Sequence, residues 1–461
     1  MTRVQPFRGW RYDLAAAGAG DLRDLLTPPY DVISPAQQAA FYARHPYNVV
    51  RLDLPRDEPG DDDRANRYAR AAATLADWRA RGVLRPEPAP AIYLLQQRFH
   101  LPDGRTATRR GLIFRLLATP WGEGVLPHER TFPTAKADRL ALLIATGSQC
   151  SPIFLLYSDP AGEAQALVLA EAAERPPEAV YCDDEGVEHR LWAVTDLETI
   201  AAATASLATR TFYVADGHHR YETALNYRRW RRTAALPAMA APSPLTAWEH
   251  LPGFDRGPGA PPAEPQPFDY AWVYAARLED PGLIILPTHR CVHDVSGFDP
   301  EALLAGLRQR FDVFPAPDEA MLEAELARAP AGKTRFGLAL PGARYLLELR
   351  PDPETRALLH AAHHPTVAKV DVAVLQTLVL GPLLGIDPDP ARLKQHVAFT
   401  PHPAEALDGL RHGRYQAVFL VNPTPLSQLQ AVSEAGQVMP PKATYFYPKL
   451  PSGLVINVVH D

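Results

Sequence analysis

The chain has 461 residues, 46% hydrophobic and 22% charged, with a formal net charge of −6. That length allows a large buried core and two or three domains, and so mild a charge gives no footprint for nucleic acid or an acidic membrane surface. Three scattered cysteines, Cys150, Cys182 and Cys291, argue against a disulfide framework and against a cysteine zinc site.

The first dozen residues lack the apolar run of a signal peptide, and no run of about twenty apolar residues is long enough to span a bilayer. The expected address is the cytoplasm, with neither membrane nor nucleic acid as a partner. The chain uses six lysines against forty-one arginines. Three of those lysines, Lys136, Lys442 and Lys449, fall in the polar motifs below. Lysine is a compact point charge with three donors, which phosphate sites use differently from arginine's flat fork.

In chain order, residues 1–90 form an N-terminal region. Its elements are a strand at 48–52, a strand or cap ending 27–33, and a helix at 64–82 with Tyr68, Ala72, Leu75 and Trp78 on one face. Residues 91–232 read as an α/β domain: a hairpin at 91–99 and 106–117, a loop and helix to 146, and a strand at 151–157. A helix at 161–173, a hairpin at 180–182 and 188–194 and a helix at 197–208 follow. Residues 233–267, dense in Pro, Gly and Ala, read as a linker or loop. Residues 268–461 form a C-terminal α/β domain: strands at 270–278, 335–340, 343–349 and 416–421, helices at 300–310, 318–328, 370–384, 403–412 and 425–435. No internal repeat is visible.

The densest chemistry lies at Asp216-Gly217-His218-His219-Arg220. Phe212, Tyr213 and Val214 favour a half-buried strand, Gly217 permits a sharp turn, and Tyr221, Ala224 and Leu225 recur at helical spacing. Asp216 then takes the N-cap position. A helix start with free N–H groups, two histidines and an arginine suits a phosphate or another anion. Asp216 is also placed to hold a magnesium ion beside it. Either histidine alone is more readily a satisfied structural residue; five such residues in a row point to a site.

Other clusters share this character. His128-Glu129 offers a base and a carboxylate on a loop. Lys136, Asp138 and Arg139 follow within two helical turns, and Lys442, Thr444 and Lys449 sit on a proline-stiffened segment. Each alone reads as solvated or structural. Together they supply cations, hydroxyls and a base, as phosphoryl transfer requires. A phosphate loop at Gly332-Lys333-Thr334 is excluded, because Ala327 stands where the upstream glycine belongs and the element order is reversed. Neither a dinucleotide glycine fingerprint nor a zinc-peptidase histidine pair is present.

The set Pro6-Phe7-Arg8-Gly9-Trp10, Pro29-Tyr30-Asp31-Val32, His128-Glu129, Lys136-Ala137-Asp138-Arg139, Ala215 to Ala224, Pro281-Gly282-Leu283, Leu286 to Arg290 and Met439 to Lys449 resembles the family called domain of unknown function 1015. More distantly, Asp216 to Arg220 is similar to the phosphate-binding motif of the ParB/sulfiredoxin superfamily, which includes free serine kinases. The sulfiredoxin cysteine is absent here, as are the helix-turn-helix and basic surface of ParB. The resemblance implies a mixed α/β fold: a ParB/sulfiredoxin-like core with an additional α/β C-terminal domain.

It also implies a phosphotransferase acting on a small hydroxyl metabolite, free serine being the first candidate, with ATP, ADP or another phosphoryl donor and Mg2+. In that reading Glu129, His128, His218 and Asp216 are catalytic. Gly217, His219, Arg220, Lys136, Arg139, Lys442 and Lys449 hold the donor, and Asp216 binds the metal. The alternatives are a phosphatase or nucleotidase working in the same pocket, and a non-enzymatic nucleotide-binding regulator. Partners are the small-molecule substrate and the nucleotide; a homo-oligomer is compatible with the sequence.

Overall fold

The computed structural model describes residues 4–101, 104–234, 264–330 and 332–459. The stretch 233–267 expected as a linker lies mostly outside them. The fold is mixed α/β, and the chain divides into two units. The first comprises Met1–Pro127, Thr131–Leu283 and Pro448–Asp461; the second comprises His128–Arg130 and Ile284–Tyr447.

The first unit is built on a nine-stranded mixed sheet. Eight strands run in the order Val125–Leu126, Phe212–Asp216, Ile153–Tyr157, Tyr270–Arg277, Thr106–Leu117, Ile92–His100, Glu188–Val194 and Ala179–Cys182, and the ninth, Val4–Gln5, pairs with Thr106–Leu117. The strand Ile153–Tyr157 is a continuous apolar run, and every residue in it is buried. It lies antiparallel to Phe212–Asp216 and parallel to Tyr270–Arg277. Such a run suits a strand covered on both faces. Val168, Ala203, Tyr221 and Leu225 of the helices Glu163–Ala173, Leu197–Ala208 and His218–Ala234 close one core with Leu155, Phe114 and Val273 of the sheet. Helix Pro133–Thr146 joins His218–Ala234 through Leu140, Leu143 and Tyr227, and joins Arg67–Ala80 through Tyr68, Ala71 and Leu142.

The C-terminal residues of this unit are threaded through it. Asn457–Val458 pair with Ser148–Gln149, and Ile456 and Ser452 bridge to Trp10 and Thr27.

Two expectations are corrected. Residues 48–52 do not form a strand: Val50–Asp53 is a short helix. The Asn48 carboxamide accepts the Val50 N–H at 3.0 Å and the Val49 carbonyl takes the Leu52 N–H at 2.8 Å, so local bonds close a turn before any strand partner is found. Residues 30–32 form a 3₁₀ turn. Helix Pro35–Arg44 was not anticipated, although Ser34 and Gln37 form a reciprocal capping box.

The second unit carries an antiparallel six-stranded sheet. Its order is Phe311–Pro315, Ala343–Leu349, Arg335–Leu340, Ala417–Leu420, His289–Val292 and Val397–Thr400. Phe336, Leu338 and Phe419 face a core with Leu307, Val374 and Leu378, while Ala339 and Val418 face another with Leu322 and Leu407. Among the described residues no helix is long and apolar enough to cross a membrane.

Candidate functional site

Strand Phe212–Asp216 slips register against its neighbour between Val214 and Asp216. A bulge of this kind re-aims the side chain that follows it. Asp216 is therefore the last strand residue, and Gly217, not Asp216, precedes the helix that begins at His218. Gly217 has φ +95°, and a Cβ there would stand 3.0 Å from Arg220 Nε. Only glycine meets both demands without strain.

Freed from the capping position expected for it, the Asp216 carboxylate turns to two cations. Lys449 Nζ lies 3.2 Å from it and Arg220 3.8 Å. The lysine comes from 233 residues away. Its backbone is fixed by two buried side chains, with Gln97 Nε2 donating to the Lys449 carbonyl at 3.0 Å and Arg109 donating to the Pro448 carbonyl at 2.6 Å. Arg220 also donates to the Pro152 carbonyl. Two cations around one carboxylate leave a net positive charge at the start of a helix, where the macrodipole is also positive.

A second set lies on the next turn. Glu222 accepts from Trp121 Nε1 at 3.0 Å and from Thr131 Oγ1, and pairs with Lys136 at 2.9 Å. Burial opposes its charge, but these donors hold the Glu222 carboxyl below its usual range. His219 Nε2 accepts the Phe132 N–H at 3.0 Å, which places the ring proton on Nδ1. Burial lowers the His219 pKa against the pull of Asp31 and Glu222, so the ring is neutral at pH 7 and secures the 131–133 segment. His218 is 4% exposed and its ring lies 6.4 Å from that of Trp121.

The third set surrounds Arg139, 6% exposed. It pairs with Asp138 at 2.6 Å and with Asp53 at 3.6 Å, and its guanidinium lies over the Tyr30 ring at 4.1 Å. Burial acts against its charge; the two carboxylates outweigh burial and raise its pKa. Asp53 also accepts from Ser151 Oγ at 2.6 Å and from Ser452 Oγ at 2.9 Å.

Arg220 of the first set and Arg139 and Asp53 of the third border one cavity of about 50 Å³, lined also by Tyr30, Ser151 and Thr223 among others, while the second set lies outside its lining. Thr223 Oγ1 and the Trp272 indole N–H also line it, and both are buried without a hydrogen-bond partner. A water or a ligand group in the cavity would satisfy both.

The structure thus gathers Asp216, Gly217, His218, His219, Arg220, Lys136, Arg139 and Lys449 within the first unit. The other nominated residues belong to the second. His128, 1% exposed, has Nε2 3.1 Å from Thr444 Oγ1, and its carbonyl accepts the Met439 N–H at 2.8 Å. Glu129 is half-buried. Lys442 has φ +56°, and its carbonyl accepts from Arg290 at 3.0 Å. Tyr30, Asp53, Ser151, Thr223 and Trp272 were not foreseen as lining residues. They stand far apart in sequence; Tyr30 and Thr223 fall inside family motifs quoted above, while Asp53, Ser151 and Trp272 carry no local signature.

Among the described residues no group of three or more His, Cys, Asp or Glu is placed to hold a metal ion. Asp216, nominated as the ligand, faces two cations instead.

The family model described as protein of unknown function (DUF1015) matches residues 4–373. The chain belongs to the DUF1015 family. The match ends before the segment that carries Lys449. No curated protein matches this DUF1015 chain. Among solved structures it is similar to a free serine kinase in complex with AMP, 10% identical, covering 72% of this chain and 89% of that one at a TM-score of 0.32. It is similar to a conserved hypothetical protein from Pyrococcus furiosus, 12% identical over 72% and 90% of the two chains at 0.31. A third is SbnI with C-terminal truncation from Staphylococcus aureus, 11% identical over 73% and 85% at 0.32. Likeness this slight carries no argument about what the DUF1015 chain does.

Proposed function

We propose that the chain transfers a phosphoryl group to a small hydroxyl metabolite, free serine being the first candidate, from a nucleotide or pyrophosphate donor. The observation that carries this reading is the small cavity of mixed polarity beside the helix start, lined by Arg139 and Arg220 and by two buried polar groups without partners among the described residues. Phosphoryl transfer asks a protein mainly for position and charge neutralisation. Lys449, Arg220 and the first N–H groups of the helix supply positive charge for a transferring phosphoryl group. At about 50 Å³ the cavity holds a few heavy atoms, far below the several hundred Å³ of nucleotide-sized pockets. Its size therefore suits the small acceptor rather than the donor.

Glu129 is the proposed base. It is more open than His128, which is almost wholly buried. Glu222 is excluded from that role because three donors already saturate it. Incubating the purified protein with serine, magnesium and a panel of donors, followed by chromatography for phosphoserine, tests the proposal. Product with wild type and none with Glu129→Gln supports it; absence of product with every donor refutes it.

A further inference from the structure

The second unit holds a much larger cleft, about 870 Å³, at one end of its sheet, where strand Arg335–Leu340 begins and strands Ala343–Leu349 and Ala417–Leu420 end. None of the roles assigned above uses it. Its volume lies in the range of pockets for cofactor-sized molecules. Leu359 and Val374 give it an apolar wall, and both are well-buried members of the adjoining core.

The charged lining sorts into spent and unspent groups. Lys333 is paired with Glu348 at 2.6 Å and Arg350 with Asp312 at 2.8 Å. Asp352 caps helix Pro353–Ala362 by accepting from Thr355 N and Oγ1 at 2.7 and 2.8 Å. Arg356, His360 and Lys369 are exposed and have no side-chain hydrogen bond or ion pair among the described residues. Arg356 and His360 stand four residues apart, on one face of their helix. Arg356 lies just past the first turn, where the helix dipole disfavours a cation. An anion in the cleft would relieve that cost.

The lining also carries an opposing group. Asp371 faces the cleft, and burial, eased by a hydrogen bond with Thr334, pushes its carboxyl up to about 6. Helix Leu426–Glu434 also starts at the rim. Pro425 occupies its capping position and offers no side-chain acceptor.

We propose that this cleft is a second ligand site, taking a nucleotide-sized organic phosphate through Arg356, His360 and Lys369. The phosphate meets the three unspent side chains and the organic body lies on Leu359 and Val374. The proposal is independent of the reaction assigned to the first unit.

Hydrogen exchange on the full-length protein, with ADP as the probe, tests it region by region. ADP should protect 353–362 and 426–434 in wild type and equally in Asp216→Asn. The double variant Arg356→Glu, Lys369→Glu should bind at these segments about tenfold more weakly or worse. The single variant Lys369→Gln, with one exposed charge removed, should fall between. Tripolyphosphate should compete with ADP, since the phosphates carry recognition. Lack of protection at these segments in wild type, protection undiminished in the double variant, its loss in Asp216→Asn, or competition by adenosine but not by tripolyphosphate would each overturn the proposal.

Discussion

Lys449 and Gly217 carry most of the weight at the residue scale. If Lys449 neutralises a transferring phosphoryl group, Lys449→Ala should lower kcat by about 100-fold while leaving the KM for the acceptor nearly unchanged. Lys449→Arg should not restore the rate, because a planar fork cannot reproduce a compact ammonium. Steady-state kinetics on the three proteins decides this. Gly217→Ala should destabilise by about 1–2 kcal/mol through its left-handed φ alone, and the added methyl group would press on Arg220; urea unfolding measures it. Asp371 makes a prediction of opposite sense. Its folded pKa of about 6 lies above the ordinary aspartate value of 3.8, so the native state favours the protonated form. Stability linked to this group is fully present below pH 4, declines as pH rises from about 4 to 6, and stays low beyond. The full swing is roughly 2–3 kcal/mol. Asp371→Asn should therefore raise the midpoint of thermal unfolding at pH 7.5 and lose that advantage at pH 4. An advantage that persisted at pH 4 would contradict the burial of an ionised carboxylate as its cause.

Apolar patterning and capping fixed most elements, and they were correspondingly legible. The hairpin strands Thr106–Leu117 and Ala343–Leu349, and the helix Leu197–Ala208, coincide with their expected bounds. Strand Ile153–Tyr157 is flanked by paired strands on both edges and buried throughout, so Leu155→Ala should cost about 2–5 kcal/mol in chemical denaturation, well above an exposed truncation such as Leu197→Ala. Legibility failed where the apolar run was short. Val49, Val50 and Leu52 fit a strand or a single helical turn equally well, and the Asn48 carboxamide decided between them. The helix begins at His218 as expected, but the ladder carries a bulge before Asp216 that is invisible in the residue pattern and keeps Asp216 in the strand. That turned an expected cap into the partner of Lys449.

For the whole molecule, the informative feature is that the first unit is completed by its last residues. Lys449, Ser452 and Asn457 reach Asp216, Asp53 and Arg115 across separations of 233, 399 and 342 residues. Sequence reasoning grouped Lys449 with Lys442, its neighbour in the chain. The fold instead assigns Lys442 to the second unit and Lys449 to the first, because the boundary falls at Pro448. No local property of either lysine signals that division. Ending the chain at residue 447 would strip fully buried Arg109 and Gln97 of their tail acceptors and remove the edge partner of Ser148–Gln149. Arg109 keeps its bond to Gln97, but the lost charge-assisted hydrogen bond to the tail is itself worth about 1.5–3 kcal/mol. The truncated protein should lose the cooperative unfolding transition of the first unit in calorimetry, and restoring the tail as a fused segment should recover it.

The account as a whole rests on phosphorus moving to an organic hydroxyl at the start of helix His218–Ala234. Phosphorus-31 NMR of the protein with serine, magnesium and each donor in turn follows that atom directly. A phosphoserine resonance that grows as the donor signal falls, and that is lost in both Lys449→Ala and Asp216→Asn, is the predicted result. Inorganic phosphate accumulating with no phosphoester, or a phosphoester formed at an equal rate in both variants, would contradict it.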